Sequence, residues 1–218
     1  MTAPVVHLQG VEHRVSARFT LTVESLTIGP GITVVLGANG CGKTTLLRTL
    51  ATVVRPTAGS LVVGGTEVTE AALQAVRRRL GYLPQEDSVP GRLTVFDHVD
   101  LVAVMREVHP DTRHRRGAVH RALCEVHLDD LGHERCSRLS GGQRRRVAVA
   151  AALVGDASYL VLDEPDAHLD DEQRDHLAEV LRRRATDGTI VVATHDQAWA
   201  AAFATRTIRM ADGRVPPG

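Results

Sequence analysis

Three largely apolar runs of strand length occur along the chain. They occupy residues 32–36, 159–163 and 189–194, and the pattern at 206–210 is compatible with a fourth strand. Strands that are apolar at every position are typical of a parallel sheet covered on both faces, whereas half-exposed strands alternate apolar and polar side chains. The pattern therefore predicts a parallel sheet at the centre of the protein.

Stretches with helical periodicity separate these runs. Residues 43 to about 53 are predicted to form a helix directly after the first run, and residues 170–184 are predicted to form another. The apolar face and the two possible caps of the second helix are Leu177, Val180 and Leu181, and Asp170 and Asp171. Strands that alternate with helices indicate the α/β class.

Two other segments have a different pattern. Residues 4–35, together with 60–64, have the turn-rich pattern of antiparallel strands, and residues from about 87 to 154 are predicted to be entirely helical. Thr94 and Asp97 form a possible capping box in the helical segment. Its two periodic apolar faces are Val95, Phe96, Val99, Val102 and Met105, and Val119, Ala122, Leu123 and Val126. Its arginine cluster, expected to be solvated, is Arg113, Arg115 and Arg116.

Length and composition narrow the class of protein further. The 218 residues, of which 43% are apolar, suit one domain over residues 1–218 with an inserted subdomain. Basic and acidic side chains balance at 26 each and aromatic residues make up 3%, which disfavours a nucleic-acid partner. The longest apolar run, 147–154, is too short to span a membrane, and no signal peptide is visible. The three cysteines lack metal-type spacing, so a reduced, cytoplasmic protein is expected.

A glycine-rich segment joins the first predicted strand to the first predicted helix. It fits G-x-x-x-x-G-K-[ST], whose glycines let backbone N–H groups turn towards phosphate oxygens at a helix N-terminus. Lys43 is expected to contact the β- and γ-phosphates, and the Thr44 hydroxyl to bind Mg²⁺. An accidental glycine-rich turn is the alternative, which the flanking strand and helix disfavour. The nucleotide-binding residues predicted here are Gly37, Ala38, Asn39, Gly40, Cys41, Gly42, Lys43, Thr44 and Thr45.

Lys43 is also the only lysine in the chain, because the other 25 of the 26 basic residues are arginine. An ammonium group acts as a compact point charge between phosphates, and the planar fork of arginine is a poor replacement for it. The general bias towards arginine therefore stops at the one position where phosphate chemistry disfavours it.

The apolar run at 159–163 ends in two carboxylates, Asp163 and Glu164. In phosphate-loop enzymes an aspartate at this place holds Mg²⁺, and Glu164, one residue further on, is suited to act as the general base for an attacking water. A strand that merely ends in polar residues is the alternative. The catalytic interpretation is favoured because the chain already carries a phosphate loop.

Residues 139–143, with the sequence Leu-Ser-Gly-Gly-Gln, lie between the phosphate loop and the acidic strand. Taken alone they are compatible with a helix cap formed by Ser140. In this position, however, the chain resembles the ATP-binding cassette (ABC) family, and the segment is similar to that family's signature motif. The resemblance implies an α/β phosphate-loop NTPase fold of the RecA-like type, with a parallel-sheet core, an antiparallel β subdomain and an α-helical subdomain inserted at about 87–154.

Further elements of the family follow in the same order. Gln85 resembles the Q-loop glutamine, residues 166–170 resemble the D-loop that crosses the dimer seam, and His195 resembles the switch histidine that reaches the γ-phosphate. The resemblance implies catalytic roles for Glu164, His195, Gln85 and Lys43, and Mg²⁺ binding by Thr44, Gln85 and Asp163. It also implies nucleotide binding by Ser140, Gly141, Gly142, Gln143 and Asp170.

The resemblance also implies a mechanism that needs two chains. Two cassettes would face each other head to tail, as a homodimer or a heterodimer, with each Mg-ATP held between Lys43 of one chain and the signature of the other. Ser140 and the backbone N–H of Gly142 would bind the γ-phosphate across the seam. The implied partner is an integral membrane permease in a separate chain, which places the cassette on the inner face of the cell membrane.

One departure from the family pattern concerns the nucleobase. The family usually has an aromatic residue that stacks on adenine, and it should lie near residues 13–15, but the nearest aromatic residue is Phe19. Either His13 stacks on the base instead, or the base contact is weak. Loose selectivity between ATP and GTP is therefore expected.

Other departures concern the D-loop and the phosphate loop. His168 stands where a small residue is common, and Asp171 where proline is common, which either makes the seam sensitive to pH or is tolerated surface variation. Cys41 either meets a simple need for a small side chain or supplies a thiol whose alkylation slows turnover, with bound ATP protecting it.

Three classes of function remain open at this stage. The first is the motor subunit of a transporter, with a likeness to the bacterial exporter branch that has a separate permease. The second is a soluble, non-transport ABC ATPase, which the single cassette and the lack of long heptad repeats disfavour. The third is a phosphate-loop kinase or GTPase, which the signature motif and His195 disfavour.

Overall fold

The computed structural model, which describes residues 3–17, 19–86 and 89–216, contains two sheets and a set of helices that cover them. The strands among the described residues are β1 (Val6–Arg14), β2 (Thr20–Ile28), β3 (Gly31–Leu36), β4 (Ala58–Val63), β5 (Thr66–Glu67), β6 (Leu80–Leu83), β7 (Tyr159–Asp163), β8 (Thr189–Ala193) and β9 (Arg206–Arg209). The α-helices are α1 (Lys43–Leu50), α2 (Leu73–Arg79), α3 (Val95–Met105), α4 (Thr112–Cys124), α5 (Gly141–Leu153), α6 (Asp171–Ala185) and α7 (Gln197–Ala201). Two short 3₁₀ turns lie at Asp129–Leu131 and Cys136–Arg138.

The central sheet has the strand order β6-β7-β8-β3-β9, and all of its neighbouring strands are parallel. Every residue of β7 and β8 is buried. In β3, Val34 packs into the core on one face and Val35 into the core on the other. Each such side chain stabilises the fold by about 1.5–3 kcal/mol through burial. The predicted parallel sheet is confirmed, and two of its strands end one residue earlier than predicted, at Ala193 and Arg209.

The second sheet is antiparallel and has the order β2-β1-β4-β5. In β1, buried Val6 and Leu8 alternate with exposed His7 and Gln9, so one face of this sheet packs on the core and the other meets solvent. The antiparallel segment that was predicted over residues 4–35 extends too far at its C-terminal end. Residues 31–35 belong to the parallel sheet instead, because all but the first residue of β3 is buried and the strand carries no exposed polar face.

The inserted segment is helical over its described part, residues 89–154, whereas Asp87 and Ser88 lie outside the described residues. Thr94 caps α3 by accepting the Asp97 backbone N–H at 3.1 Å, which is one of the two bonds of the predicted capping box. The predicted face of α4 is confirmed, since all four of its apolar residues are buried. Met105, predicted to be part of the α3 face, is 68% exposed.

Arg106 explains the outward position of Met105. Its buried guanidinium donates to the Val154 carbonyl at 2.7 Å and to the Ala152 carbonyl, so it caps the C-terminus of α5 in the place where an apolar side chain was expected. Burial lowers the pKa of Arg106 to about 10, and repulsion from the charge of Arg184 makes a smaller contribution to this shift. The guanidinium remains charged at neutral pH and favours the carbonyl end of the helix.

Two further predictions need correction. The first helix ends at Leu50 rather than near residue 53, because Thr52 takes a left-handed conformation and the Val53 N–H turns back to the Arg48 carbonyl. The arginine cluster is not uniformly solvated, because half-buried Arg115 pairs with Asp100 at 2.9 Å. The helix predicted at 170–184 is confirmed as α6, with Asp170 as its N-cap.

Among the described residues, no helix combines the length and the apolar character needed to cross a bilayer.

Candidate functional site

The segments that carry the predicted chemistry meet at one edge of the central sheet. The phosphate loop follows β3, Gln85 follows β6, the carboxylates end β7, and His195 follows β8. Because these strands are parallel neighbours, their carboxyl ends lie side by side, which is where open α/β sheets bind ligands. The edge opens into a cleft of about 560 Å³, here called the phosphate cleft, lined by Lys43, Thr44, Gln85, Glu164 and His195 together with Asn39, Gly40, Gly42, Thr45, Val15 and Phe19.

The phosphate loop leaves its backbone N–H groups available to an anion. Gly42 is the N-cap of α1 with φ 106°, and no side chain caps this helix start. Lys43 is buried within the loop, where its ammonium donates to the Gly37 carbonyl at 2.7 Å and to the Ala38 carbonyl at 3.2 Å. The loop is therefore shaped around a positive charge and a helix N-terminus, a combination that binds phosphate.

Three oxygen ligands for a hard cation converge beside the loop. The Thr44 hydroxyl donates to the Gln85 side-chain oxygen at 3.2 Å. Asp163 is 1% exposed, and its Oδ2 has no hydrogen-bond partner among the described residues. Such an orphaned buried oxygen, next to a hydroxyl and an amide oxygen, fits Mg²⁺, which prefers oxygen ligands. The structure thus brings together the three predicted metal ligands.

The charge of Asp163 is disfavoured without a cation. Burial raises the pKa of its carboxyl group above the usual value, and the charge of Glu164 adds to the rise. The neighbouring Thr44 hydroxyl and the positive charges of Arg145 and Lys43 oppose the rise without cancelling it. A divalent cation would favour the ionised form, so the site gains from binding one.

The predicted general base and the predicted switch histidine face each other. Glu164 holds a left-handed conformation, φ 49°, and its backbone N–H donates to the Ala193 carbonyl at 2.8 Å. The Nδ1 atom of His195 lies 3.7 Å from the Glu164 carboxylate, and the side chains are 65% and 18% exposed respectively. Both groups line the phosphate cleft, so a carboxylate and an imidazole are available where a phosphate would end.

The loop that carries His195 is held by contacts that sequence analysis did not predict. The Thr194 hydroxyl donates to the Asp166 carboxylate at 3.0 Å and accepts the Asp196 backbone N–H at 3.0 Å. Burial raises the pKa of Asp166. Arg174 pairs with Asp196 at 3.3 Å, and its carbonyl accepts the indole N–H of Trp199, the only tryptophan. This loop is therefore anchored to α6 and α7 on both sides of the histidine.

The signature segment begins α5 and satisfies its own hydrogen bonds. The Ser140 hydroxyl accepts the Gln143 N–H at 3.2 Å, and the Gln143 side chain accepts the Ser140 N–H at 2.8 Å, which completes a capping box. A Cβ atom placed on Gly142 would lie 2.7 Å from the His168 carbonyl, so this position demands glycine and fixes the D-loop against the signature. Residues 139–143 do not line the phosphate cleft of their own chain.

Asp170 and Cys41 are placed differently from what nucleotide contact alone would suggest. The Asp170 carboxylate accepts the Gln173 N–H at 2.8 Å as the cap of α6, and Asp170 does not line the phosphate cleft. Cys41 is buried beneath the loop. Its burial favours the interpretation that a small side chain is required there, and the effect of alkylation stays a prediction.

Val15 and Phe19, near the position where the nucleobase contact was expected, line the phosphate cleft, whereas His13 does not. The Phe19 ring lies against the phosphate loop, because a Cβ atom on Gly42 would come within 2.8 Å of its Cζ. Phe19 is thus the aromatic residue of the cleft, and its ring is already used to support the loop.

Arg145 is the largest feature of the site that sequence analysis missed. It is 1% exposed, and its guanidinium donates to carbonyls on both sides of the catalytic edge. From sequence alone, an arginine between two other arginines is expected to be exposed to solvent. No periodic signal singled it out, because α5 is buried on every side from Val147 to Leu153, and the residues one and two turns beyond Arg144 and Arg146 are core residues as well.

One other group of potential metal ligands lies among the described residues, at the start of α4. His109, Asp111 and His114 are all exposed, with their ligand atoms within 4.8 Å of one another. The Asp111 carboxylate accepts the His114 backbone N–H at 2.9 Å and lies 2.7 Å from His114 Nδ1, while His109 Nδ1 accepts the Asp111 N–H at 3.0 Å. These bonds explain the group as a helix cap.

Comparison with known proteins adds an independent line of evidence. The family model described as "ABC transporter" matches residues 21–167. The chain is 36% identical over 224 residues to the macrolide export ATP-binding/permease protein MacB 1/2 of Paracoccus denitrificans, which covers 98% of this chain and 33% of that protein. It is 35% identical over 199 residues to the probable siderophore transport system ATP-binding protein YusV of Bacillus subtilis, with coverages of 88% and 71%. It is 34% identical over 227 residues to the phosphonates import ATP-binding protein PhnC 2 of Pseudomonas savastanoi, with coverages of 96% and 82%.

The extent of these matches differs between relatives. The chain spans about a third of the length of the MacB protein, and most of the length of the YusV and PhnC proteins. The names of these relatives include both export and import.

Solved structures show the same fold. The dimeric structure of MJ0796, a bacterial ABC transporter cassette, superposes with a TM-score of 0.87 at 24% sequence identity, covering 97% of this chain and 96% of that one. A second structure of that cassette, in a post-hydrolysis state with ADP and Pi, superposes with a TM-score of 0.85. The predicted α/β fold, with its parallel core and antiparallel sheet, is confirmed by this likeness and by the strand pairings.

Proposed function

Since the chain belongs to the ABC transporter family, whose cassettes are ATPases, we propose that it is the ATP-hydrolysing subunit of a transporter. Two cassettes, identical or related, close head to tail around two Mg-ATP and drive a separate membrane permease, from the inner face of the membrane. The observation that carries this proposal is the position of the signature. The N-terminus of α5 carries the family's phosphate-binding residues, yet these residues do not line the phosphate cleft of their own chain. A second chain gives this helix start a phosphate to bind.

The proposed reaction begins with the triphosphate in the phosphate cleft. The backbone N–H groups at the start of α1 bind the phosphates, and the Lys43 ammonium exchanges its two carbonyl contacts for phosphate oxygens. Thr44, Gln85 and Asp163 would hold Mg²⁺, which neutralises charge on the phosphates. Ser140 and the Gly142 N–H of the second chain complete the enclosure and exclude water.

Hydrolysis then needs one water and one base. The water oxygen attacks the γ-phosphorus while its proton passes to the Glu164 carboxylate, and the bond to the bridging β–γ oxygen breaks to leave ADP and inorganic phosphate. His195, 3.7 Å from Glu164, orients that carboxylate and contacts the γ-phosphate. Release of the phosphate removes the anion that joined the two chains, so the pair opens and the cycle delivers movement to the permease.

An apolar surface on α3 supports a permease partner. Leu101, Val104 and Met105, here called the α3 patch, are 45%, 48% and 68% exposed. The patch belongs to the inserted helical segment that connects Gln85 to the signature in the sequence, so a protein docked there would bind the segment that joins these two motifs. We propose that a cytoplasmic helix of the permease binds this patch.

The MacB relative supports export, and relatives named for import are similar to the same degree, so a transport assay decides the direction.

Trapping the closed pair tests the two-chain arrangement. Glu164→Gln keeps the shape of the side chain and removes the base, so this variant should bind ATP and elute at twice the mass of one chain, whereas the nucleotide-free protein should not. The matched control combines Glu164→Gln with Ser140→Arg and should stay at the mass of one chain. An ATP-bound Glu164→Gln protein in which each nucleotide contacts a single chain would overturn the proposal.

Reconstitution tests the partner. With the cognate permease in lipid vesicles, turnover should rise above that of the isolated cassette. Replacement of the three residues of the α3 patch by aspartate should remove the rise and leave the turnover of the isolated cassette unchanged. If the isolated cassette hydrolyses ATP at its full rate, does not bind the permease, and does not change its rate when the permease is present, the alternative of a soluble non-transport ATPase is supported.

A further inference from the structure

We propose that Arg145 is a positioning residue that connects the two nucleotide sites of the dimer within a single chain. One helix, α5, would contact one ATP through the signature at its N-terminus and would hold the catalytic edge of the other site through Arg145. This inference rests on the head-to-tail arrangement proposed above and adds a route by which occupancy of one site reaches the chemistry of the other.

The first observation is the set of atoms that Arg145 joins. Its NH1 group donates to the Pro84 carbonyl at 3.0 Å and approaches the Gln85 carbonyl at 3.4 Å. Its NH2 group donates to the Glu164 carbonyl at 2.8 Å and to the Asp163 carbonyl. The NH1 and NH2 groups of one planar guanidinium therefore fix the segment that carries the Q-loop glutamine relative to the segment that carries the general base.

The second observation is the burial of this contact. Arg145 is 1% exposed, and its positive charge opposes the rise in the pKa of Asp163. Hydrogen bonds from a charged donor are about twice as strong as neutral ones, and buried carbonyls left without donors are costly. The guanidinium therefore holds the spacing between the segment that carries Gln85 and the segment that carries Glu164.

The third observation is the place of Arg145 along α5. It lies two residues beyond Gln143, which closes the capping box at Ser140. The signature and Arg145 therefore belong to the first two turns of the same helix. A helix transmits a shift of its first turn to its second turn as a rigid unit. When the signature engages the partner's ATP, the movement of α5 reaches the Gln85 and Glu164 segments through the hydrogen bonds that Arg145 donates to both.

The neighbouring arginines provide matched controls because each has a different target. Arg144 donates to the Leu139 carbonyl within its own helix start, and Arg146 donates to the Val126 and His127 carbonyls at the end of α4. Neither contacts the Q-loop segment or the acidic strand in the bonds the structure shows. Arg146→Met therefore removes an adjacent guanidinium without touching the catalytic edge or the signature, to which Leu139 belongs.

The first test measures turnover and stability of full-length variants. Arg145→Met should lower kcat by about 10- to 100-fold at saturating ATP with KM changed less than about threefold, whereas Arg146→Met should stay within about twofold. Arg145→Lys keeps the charge but cannot span both segments, so it should fold normally and lose about tenfold in kcat. If Arg145 served only to fill the core, thermal stability would fall in Arg145→Met and Arg145→Lys while kcat of the folded protein stayed at the wild-type value.

The second test separates the two sites by joining two full copies in one polypeptide with a flexible linker. The second copy carries Glu164→Gln, so only the site containing Glu164 of the first copy works. Arg145→Lys in the first copy should lower turnover about tenfold, and Arg145→Lys in the second copy should leave it within about twofold. Equal losses from both placements would overturn the proposal.

The same linked protein tests the connection itself. Turnover is compared when the second site holds ATP but cannot hydrolyse it (Glu164→Gln) and when it binds ATP poorly (Lys43→Ala). With Arg145 intact we expect about tenfold faster turnover with the second site occupied, and with Arg145→Lys in the first copy this ratio should fall to about twofold. An unchanged ratio would overturn this inference alone, whereas failure of Glu164→Gln to trap a dimer would overturn the proposed function on which it rests.

Discussion

The starts of α1 and α5 both present glycines and backbone N–H groups, but they are satisfied in different ways. At α1 no side chain caps the helix, and a buried ammonium from Lys43 lies within the loop. At α5 the side chains of Ser140 and Gln143 satisfy each other's backbone groups. The first helix start is therefore organised around a buried positive charge, whereas the box at the second uses the Ser140 and Gln143 backbone N–H groups and leaves the Gly142 N–H and the Ser140 hydroxyl hydrogen for a phosphate.

This difference suits the two roles proposed for these helix starts. A loop that must retain a nucleotide while the dimer is apart benefits from donors that are already free. A signature that meets phosphate only in the closed pair exposes helix donors to solvent during the open phase, and the capping box reduces their number by satisfying the Ser140 and Gln143 N–H groups. The comparison predicts that damage to the first helix start abolishes nucleotide chemistry, and that damage to the second acts through closure.

The largest expected effect comes from Lys43→Ala. Loss of the ammonium leaves the γ-phosphate without its nearest positive charge, so phosphate release should fall by at least about 10²- to 10³-fold. Arg48→Ala, an exposed substitution on the same helix, should stay within about twofold of wild type. Measurable turnover in Lys43→Ala near the wild-type rate would refute the assignment of the loop.

The next effect concerns the second helix start. Ser140→Arg should lower turnover about 100-fold, because a bulky cation at the seam blocks closure, while the ATP affinity of a single chain is retained. Ser140→Ala removes the cap, costs about 1 kcal/mol of folding free energy and should lower Tm by about 2–4 °C. Calorimetry and nucleotide titration separate the two outcomes. Loss of single-chain ATP binding in Ser140→Arg would contradict the division between the two helix starts.

A smaller effect tests the cation site beside the first helix start. Burial raises the pKa of Asp163 in the folded protein above its unfolded value, so the folded state binds more protons in the window between the two values, and stability falls as pH rises through it. Asp163→Asn removes this penalty and should raise Tm of the nucleotide-free protein at pH 7, with the gain disappearing below about pH 4. The same variant should lose Mg²⁺-dependent turnover. Asp130→Asn, at an exposed carboxylate, is the control, and a lower Tm for Asp163→Asn at pH 7 would contradict the prediction.

The smallest effect concerns the nucleobase contact expected at the phosphate cleft. With Phe19 used against the loop and Val15 beside it, turnover with GTP should stay within about tenfold of turnover with ATP. Val15→Tyr should add a stacking surface and lower KM for ATP about fivefold or more, since one base–aromatic stack contributes about 1–3 kcal/mol. Steady-state kinetics with both nucleotides measure this. A strong ATP preference in the wild-type protein would show that another group reads the base.

The parts of the fold that were predictable from sequence depend on unambiguous patterns. The strand at 159–163 was placed to the residue because it is apolar throughout and ends in charge. The end of α1 was misplaced because nothing in the residues around Thr52 announces its left-handed turn. Met105 was assigned to the core because an apolar residue at helical spacing usually faces inward, and here Arg106 takes the inward place.

The residues of the candidate site also differ in whether a local sequence pattern predicts them. Lys43, Asp163 and Glu164 follow from local motifs, since each stands next to a strand end whose position the pattern gives. Arg145 could not be assigned in this way because its role depends on carbonyls some 20 to 60 residues away in sequence, which only the packed sheet brings together. Backbone acceptors carry no side-chain signature, so the partners of a buried arginine are hidden in any reading of residue types.

The single tryptophan gives the protein a built-in optical reporter. Its ring packs edge-on against Phe203, its backbone N–H is capped by Asp196, and its indole N–H bonds to α6, so its environment is set by the same loop that carries His195. Indole emission depends on polarity and on nearby charge. Rearrangement of residues 194–196 during a catalytic cycle can therefore be followed by stopped-flow fluorescence in the unlabelled wild-type chain, with no second indole to contribute background.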